Sequence, residues 1–187
     1  MEIWSILLLS VGLAMDAFAV SVCKGAALKK AAWIQAFWIA LCFGLFQFVM
    51  PLVGYLLGST VSEFTDEYGH WIAAGLLVFI GLKMIIEALR PMTGEACTVR
   101  VDLKELLMLG LATSIDALAV GVGFALLNQD FLIPSVLIGV ITFILSFLGV
   151  HFGRKIGGFL QTKASVFGGI ALLLIAVKIV LEGLHLL

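Results

Sequence analysis

The sequence predicts an all-α, polytopic membrane protein with six transmembrane helices arranged as two inverted three-helix repeats. Of its 187 residues, 63% are hydrophobic and 12% are charged, with a mean hydropathy of +1.21, far from the roughly half-apolar composition of soluble domains. Apolar stretches of bilayer length recur along the chain, and motifs of its first half return in its second. A net charge of −1 without a basic block argues against nucleic acid as a partner.

A transmembrane helix needs about 20 consecutive, mostly apolar residues. That length predicts six spans, near residues 3 to 23, 32 to 57, 71 to 89, 106 to 127, 131 to 152 and 165 to 186. Pro51 lies near the end of the second span and predicts a kink or tilt there. Because the spans leave little other chain, we interpret residues 1–187 as a single membrane domain.

Basic residues predict the orientation of the spans. They occur in the first, third and fifth predicted loops and are absent from the second and fourth: Lys24, Lys29 and Lys30, then Arg90, Arg100 and Lys104, then Arg154, Lys155 and Lys163. Cytoplasmic loops of membrane proteins carry an excess of Lys and Arg. The odd loops are therefore predicted to be cytoplasmic, and both termini to lie outside.

Three motifs of the first half recur in the same order in the second. LAMDAFAVSV (13 to 22) aligns with TSIDALAVGV (113 to 122), LVGYLLG (52 to 58) with HFGRKIG (151 to 157), and GLKMIIEAL (81 to 89) with AVKIVLEGL (176 to 184). We therefore predict repeat one over 1–90, a cytoplasmic linker over 91–103 and repeat two over 104–187. Three spans per repeat invert the second copy, as in many secondary transporters. The alternative is that a stable hairpin was merely duplicated. The aligned glycines Gly54 and Gly153 predict close helix packing.

Each copy of the first motif carries an aspartate inside a predicted span, Asp16 in the first and Asp116 in the fourth. An ionised aspartate at this depth costs about 2.5 to 3.5 kcal/mol on insertion scales, so each is predicted to face a partner or a hydrated cavity. Small residues flank both and favour close approach of the two helices. Two facing carboxylates would share a proton or bind a cation. The alternative is that they serve packing alone.

Oxygen ligands suit Mg²⁺, Ca²⁺ or Mn²⁺, and no cluster of His or Cys argues for a softer ion. Further oxygens come from Gln47 and Ser146, which occupy equivalent positions of the two repeats, and from Thr113, one turn before Asp116. Met15 is a weaker candidate. Its thioether would favour Mn²⁺ over Mg²⁺, but such a side chain more often makes a core or lipid contact.

Four segments, MDAFAVSVCKGA, FGLFQFVMPLVG, GLKMIIEALR and SIDALAVGVG, resemble the bacterial manganese efflux pump family, MntP, and the resemblance covers nearly the whole chain. It implies a six-helix exporter in the cytoplasmic (inner) membrane, with Mn²⁺ as transported substrate, no cofactor, and Asp16 and Asp116 essential for transport. Some members of the family carry Glu where this chain has Gln47. Two carboxylates rather than three are therefore expected at the site here.

Opposite charges lie one turn apart in the third and sixth predicted helices, as Lys83 with Glu87 and Lys178 with Glu182. The simpler interpretation is a local ion pair at a helix end, whose lysine extends toward the interface. The alternative is a gate or counter-charge that exchanges partners between two conformations.

Export of a divalent cation against an inside-negative potential costs about 4.6 kcal/mol per 100 mV, and the chain has no nucleotide-binding motif. The hypothesis is exchange of one Mn²⁺ for two protons at the two aspartates, which is electroneutral and gains about 2.7 kcal/mol per pH unit. The alternatives are export of another divalent cation or small solute, a purely structural role, and an intramembrane aspartyl protease, whose Gly-x-Gly-Asp motif is absent. We predict a transporter rather than an enzyme.

Overall fold

The computed structural model describes residues 3–28, 33–62, 69–89 and 103–183, and every regular element within them is an α-helix. The helices are α1 (Ile3–Ala27), α2 (Trp33–Ser62), α3 (Gly69–Leu89), α4 (Leu103–Thr113), α5 (Ile115–Leu126) and α6 (Leu132–Gly183). The all-α prediction is confirmed over these ranges. The predicted linker 91–103, except for its last residue, lies outside them, as do the basic residues Lys29, Lys30, Arg90 and Arg100.

Several helices are long and apolar enough to cross a membrane. Four described segments meet both criteria, Ile3–Ala26, Trp33–Thr60, Leu103–Leu126 and Leu132–Gly153, and two shorter apolar stretches cover Trp71–Lys83 and Val166–Leu181. Large apolar side chains point outward along these helices, among them Trp4 (80% exposed), Phe79 (69%) and Leu174 (60%). A water-facing surface of this kind would be an aggregation liability, whereas lipid chains can cover it. The helices therefore have the surface of a membrane protein.

Helical backbone extends from Leu132 to Gly183 as α6, through the segment between the fifth and sixth predicted spans, 131 to 152 and 165 to 186, where the sequence predicts a loop. Lys, Arg, Gln and Leu propagate a helix well, and no proline interrupts this segment. The helix nevertheless turns back on itself. Ile133 lines a cavity together with Ile3 of α1, and Lys178 donates to Ser5, only two residues further along α1. A straight helix from Ile133 to Lys178 would be about 68 Å long, so α6 reverses direction between a first arm (132–153) and a second arm (166–183).

The fourth predicted span, 106 to 127, corresponds to one segment of membrane-spanning length, Leu103–Leu126, but its helix breaks at Ser114 into α4 and α5. The Ser114 hydroxyl donates to the carbonyl of Gly110 at 2.7 Å, and the Thr113 hydroxyl donates to that of Leu109 at 2.9 Å. The Ser114 amide bonds to the carbonyl three residues earlier, as in a tightened turn. Hydroxyl groups that compete with the backbone for carbonyls bend or distort a helix. The expectation of a continuous span left out this competition.

Glycines set the closest helix contacts, on α1 against the first arm of α6 and on α2 against α5. At four positions an alanine methyl carbon would lie 2.0 to 2.1 Å from a backbone oxygen of the facing helix: Gly25 faces Val150, Gly153 faces Val22, Gly54 faces Leu118 and Gly121 faces Pro51. Even favourable carbon–oxygen contacts close only to about 3.3 Å, so a side chain at these positions would force the helices apart. The predicted packing role of Gly54 and Gly153 is confirmed.

A buried apolar cluster joins α1, α3, α5 and the second arm of α6. Its members include Leu13, Leu77, Phe124 and Leu172, all at most 4% exposed. The cluster and the glycine contacts place α1 and α5, the helices that carry the two aspartates, in one packed bundle. Asp16 and Asp116 are thereby held on different helices around the same core.

Candidate metal site

Asp116 lies in the first turn of α5, directly after the break at Ser114. The first amides of a helix have no partner within it, and Oδ1 of Asp116 accepts the Ala117 amide at 2.8 Å. The residue is 6% exposed, and its Oδ2 is buried without a hydrogen-bond partner among the described residues. The positive end of a helix dipole favours a carboxylate at this position. Asp116 therefore offers one unused, buried oxygen to a cation or a proton.

Asp16 is half-buried in the middle of α1, which continues without a break on both sides of it. It interacts electrostatically with Asp116, and so does Lys83 of α3. Two carboxylates repel each other strongly where the dielectric constant is low, and a lysine offsets part of that repulsion. The structure thus brings both predicted aspartates and one of the predicted lysines into the same electrostatic environment.

Gln47 of α2 is fully buried, and its Nε2 donates to the Leu13 carbonyl of α1 at 3.1 Å. Leu13 precedes Asp16 by one helical turn, so this bond places the Gln47 amide close to the aspartate along α1. The Gln47 Oε1 is buried and has no hydrogen-bond partner among the described residues. An amide oxygen is a good ligand for hard divalent cations.

The remaining predicted ligands differ in how their polar atoms are used. Ser146, on the first arm of α6, is fully buried, and its Oγ has no partner within the described part of the chain. The hydroxyl of Thr113, by contrast, is engaged with carbonyls of its own helix. Met15 is partly buried and packs against the apolar cluster of α1, α3, α5 and α6. The contacts of Met15 therefore agree with the core interpretation of its thioether.

The arrangement limits how a cation could be held. No group of three or more His, Cys, Asp or Glu side chains is placed to hold a metal ion within residues 3–28, 33–62, 69–89 and 103–183. A cation between Asp16 and Asp116 would complete its shell with neutral oxygens or water, which Mg²⁺, Ca²⁺ and Mn²⁺ accept readily. Gln47 and Ser146 are the buried neutral candidates.

Comparison with known proteins decides the class of transporter. A family model described as "Putative manganese efflux pump" matches residues 30–180. The chain belongs to the manganese efflux pump family. Relatives named as manganese efflux pumps are similar to it over nearly its whole length. One from Mannheimia succiniciproducens is 47% identical over 183 residues, 97% of either chain, and one from Crocosphaera subtropica is 46% identical over 184 residues, 98% of either chain. A third, from Methanobrevibacter smithii, is 45% identical over 177 residues, 95% of this chain and 96% of the relative. No solved structure matches the chain.

Membership of the manganese efflux pump family confirms the resemblance of the four motifs and makes the protein a transporter rather than an enzyme. The alternative of an intramembrane aspartyl protease is thereby set aside. Manganese is the transported substrate of this family, not a resident cofactor.

The lysines of the two Lys-x3-Glu motifs each interact outside their own helix. Lys83 interacts with Asp116, and Lys178 donates from Nζ to the Ser5 hydroxyl of α1 at 3.0 Å. The side chains of Glu87 and Glu182 lie outside the described residues. Pairing within each motif therefore stays a prediction.

One partly buried ion pair of this efflux pump was not predicted. Nζ of Lys24 lies 2.6 Å from Oε1 of Glu105, with the lysine side chain 3% exposed and that of the glutamate 29% exposed. Lys24 belongs to the predicted first loop but lies in the last turn of α1. The sequence signal for burial of Lys24 was its position two turns after Asp16, close to the end of the first membrane span. Nothing in the sequence indicates Glu105, 81 residues away, as its partner.

Proposed function

We propose that the protein exports Mn²⁺ from the cytoplasm across the bacterial cytoplasmic membrane by alternating access, with Asp16 and Asp116 holding the ion. The observation that carries this proposal is the buried Oδ2 of Asp116, which has no hydrogen-bond partner among the described residues and lies at a helix break where Asp16 acts on it electrostatically. The relatives named as manganese efflux pumps supply the identity of the ion. Two carboxylates balance the charge of one Mn²⁺, which lowers the cost of burying it.

The proposed architecture is six spans in two inverted repeats, with α1, α2 and α3 in the first, and α4–α5 and the two arms of α6 in the second. Equivalent contacts support it. A methyl group on Gly54 of α2 would lie 3.1 Å from the Val122 amide nitrogen of α5, and one on Gly153 would lie 2.0 Å from the Val22 oxygen of α1. The aligned motifs equate Gly54 with Gly153 and Val22 with Val122. The second helix of each repeat therefore packs on the first helix of the other, as a pseudo-two-fold axis requires.

A difference between the repeats supports alternating access. α1 runs unbroken through Asp16, whereas its counterpart in repeat two is broken two residues before Asp116. Asp16 is half-buried and Asp116 is buried. In transporters built from inverted repeats, broken helices form the ion site, and one repeat moves against the other to expose it to either side. The two aspartates would then exchange their degree of burial as the transporter changes state.

The proposed coordination sphere contains both aspartates, with Gln47 and Ser146 as neutral ligands. These two residues are repeat equivalents, and each is fully buried with an oxygen that lacks a partner in the described ranges. The Thr113 hydroxyl donates its proton to carbonyls of its own helix, so only its oxygen lone pairs remain for a cation. Met15 is assigned to the core. Lys83 is proposed as the counter-charge of Asp116 when no cation is bound, with Lys178 as its repeat equivalent.

Export is proposed to be driven by exchange for protons, with both termini of the chain outside. Each aspartate can release Mn²⁺ by accepting a proton, and two protons per ion remove the voltage cost of about 4.6 kcal/mol per 100 mV. The carboxylate pair supports a stoichiometry of two, because no third carboxylate is present among the proposed ligands. Liposomes that export Mn²⁺ without counterflow of protons would contradict the coupling but not the site.

The experiment that tests the site compares Asp16→Asn, Asp116→Asn and Asp130→Asn. Asp130 is an exposed residue between α5 and α6, so the same change there controls for removing a carboxylate. The proteins are produced in cells lacking their own manganese exporter, and inside-out membrane vesicles are assayed for Mn²⁺ accumulation. We expect the first two variants to lose accumulation and the third to keep it. If Asp16→Asn and Asp116→Asn accumulate Mn²⁺ like wild type, the site assignment is wrong.

A further inference from the structure

Buried hydroxyl groups in the helices fall into two classes. A serine or threonine in a helix commonly donates to the carbonyl three or four residues earlier, which satisfies it without any other partner. Ser10 of α1 does so with Ile6 at 2.7 Å, and Ser135 of α6 does so with Phe131 at 2.7 Å. Both serines are fully buried. Their hydroxyls are accounted for by the helices that carry them.

Ser21, Thr142 and Ser146 behave differently. All three are fully buried, on the same two helices as Ser10 and Ser135. Their hydroxyl oxygens have no hydrogen-bond partner among the described residues. Leaving a buried hydroxyl unsatisfied is unfavourable when a bond to its own helix is within reach. Hydroxyls oriented in this way are available to a partner from outside the helices, such as water or an ion.

The three hydroxyls follow one contact between helices. Thr142 and Ser146 are one turn apart on the first arm of α6, and one further turn leads to Gly149. A methyl group on Gly149 would lie 3.1 Å from Cβ of Ser21. In the other direction, Gly139 packs on α2 at Phe48, the residue after Gln47. The hydroxyls therefore extend from the level of Gln47 to Ser21, along the contact between α1 and α6.

This line of oxygens ends at the partly buried ion pair. Ser21 is three residues before Lys24, whose Nζ contacts Glu105. Gly25, the next residue, packs with its Cα against the Val150 oxygen of α6, so closely that a methyl group would lie 2.1 Å from it. The contact between α1 and α6 is thus closed at the Lys24 end, which the charge pattern predicts to be cytoplasmic.

We propose that Ser21 and Thr142, together with Ser146, line the path of the divalent cation along the contact of α1 with α6, from the cytoplasmic end of α1 past Asp16 to the level of Gln47. This inference rests on the proposed function, and it adds Ser21 and Thr142 to the residues that contact the ion. Hydroxyl oxygens are neutral ligands that replace part of the hydration shell of Mn²⁺. Sites along a path must bind well enough to admit an ion and weakly enough to release it, which neutral oxygens achieve better than carboxylates.

The test compares Ser21→Ala and Thr142→Val with Ser10→Ala and Ser135→Ala, which remove equally buried hydroxyls from the same helices. Inside-out vesicles present the cytoplasmic face, and the initial rate of Mn²⁺ accumulation is measured against Mn²⁺ concentration. We expect the half-saturating concentration to rise about tenfold, about 1.4 kcal/mol, for Ser21→Ala and Thr142→Val. The two control variants should match wild type. Thr142→Ser keeps the oxygen and should restore the wild-type value.

Thermal unfolding in detergent separates a path from a structural role. Removal of an unsatisfied hydroxyl should leave the unfolding midpoint of Thr142→Val at or above that of wild type. A midpoint lower than that of Ser135→Ala would show that Thr142 makes a structural bond and would overturn the proposal. Equal half-saturation in all four variants, with Asp16→Asn inactive, would overturn the path and leave the aspartate site standing. Full activity of Asp16→Asn would instead overturn the proposed function itself.

Discussion

Replacing Gly54 by alanine is expected to destabilise the contact between α2 and α5 and, with it, the whole bundle. The new methyl carbon would lie 2.0 Å from the Leu118 oxygen. Because carbon–oxygen contacts close only to about 3.3 Å, the two helices must separate by about 1.3 Å. The obstacle is backbone, which cannot rotate away as a side chain would. Overpacking of this kind costs about 1 to 3 kcal/mol.

The matched control is Gly75→Ala in α3, where a methyl group meets nothing within 4 Å. Alanine is favoured over glycine within a helix by up to about 1 kcal/mol, so this variant should be neutral or slightly stabilised. Opposite signs are thus expected for the same chemical change at two positions. Gly153→Ala, at the repeat equivalent of Gly54, should behave like Gly54→Ala because its methyl group would lie 2.0 Å from the Val22 oxygen.

The assay is equilibrium unfolding of the purified protein in mixed micelles with increasing SDS, followed by helical circular dichroism. Free energies of unfolding are compared at a common SDS fraction, and Mn²⁺ accumulation in vesicles is measured in parallel. If Gly54→Ala unfolds at the same SDS fraction as Gly75→Ala, the close contact of α2 with α5 does not exist as described. If only one of Gly54→Ala and Gly153→Ala is destabilised, the two contacts are not equivalent.

Three further changes test the charges and ligands. Glu105→Leu should destabilise the protein by about 3 to 5 kcal/mol, because it removes the carboxylate that pairs with the buried Lys24. Lys24→Met should cost less, because the carboxylate left behind at Glu105 is 29% exposed. The double variant should recover most of the loss in SDS unfolding, and additive losses would contradict the pair. Gln47→Glu adds a third carboxylate and should tighten Mn²⁺ binding about tenfold or more in calorimetry, about 1.4 kcal/mol; an unchanged affinity would place Gln47 outside the site. Met15→Leu conserves volume and should lower the free energy of unfolding by less than about 1.5 kcal/mol. It should leave the competition of Mn²⁺ and Mg²⁺ for binding unchanged, whereas a weaker preference for Mn²⁺ would identify the thioether as a ligand.

The features that local sequence patterns could predict are those that depend on composition and spacing. Apolar segments of bilayer length predict helices that cross a membrane, and aligned glycines such as Gly54 and Gly153 predict close packing. The two aspartates stand out because a carboxylate within such a segment is costly. None of these inferences needs knowledge of a distant partner.

The features that escaped prediction depend on geometry that spacing does not contain. The break at Ser114 follows from where two neighbouring hydroxyls donate. The helical backbone between the two arms of α6 follows from a connecting segment that can itself be helical. The ion pair of Lys24 with Glu105 joins residues 81 positions apart. Ser21 and Thr142 could not be distinguished from Ser10 and Ser135 by sequence, because all four are hydroxyl residues in apolar helices. Only the direction of each hydroxyl separates them.

Part of the difference between the two proposed repeats lies in their amino-acid sequences. Thr113 and Ser114, whose hydroxyls take up backbone carbonyls before the break, align with Leu13 and Ala14 in repeat one, which have no hydroxyl. In α1 the carbonyl of Leu13 instead accepts the amide of Gln47 from the neighbouring helix. Repeat two thus distorts its helix through its own side chains, while repeat one has only a bond from α2 at the same place. In the proposed alternating-access cycle, the break before Asp116 should therefore persist in both states, and we expect the change at Asp16 to involve the contact of α1 with Gln47.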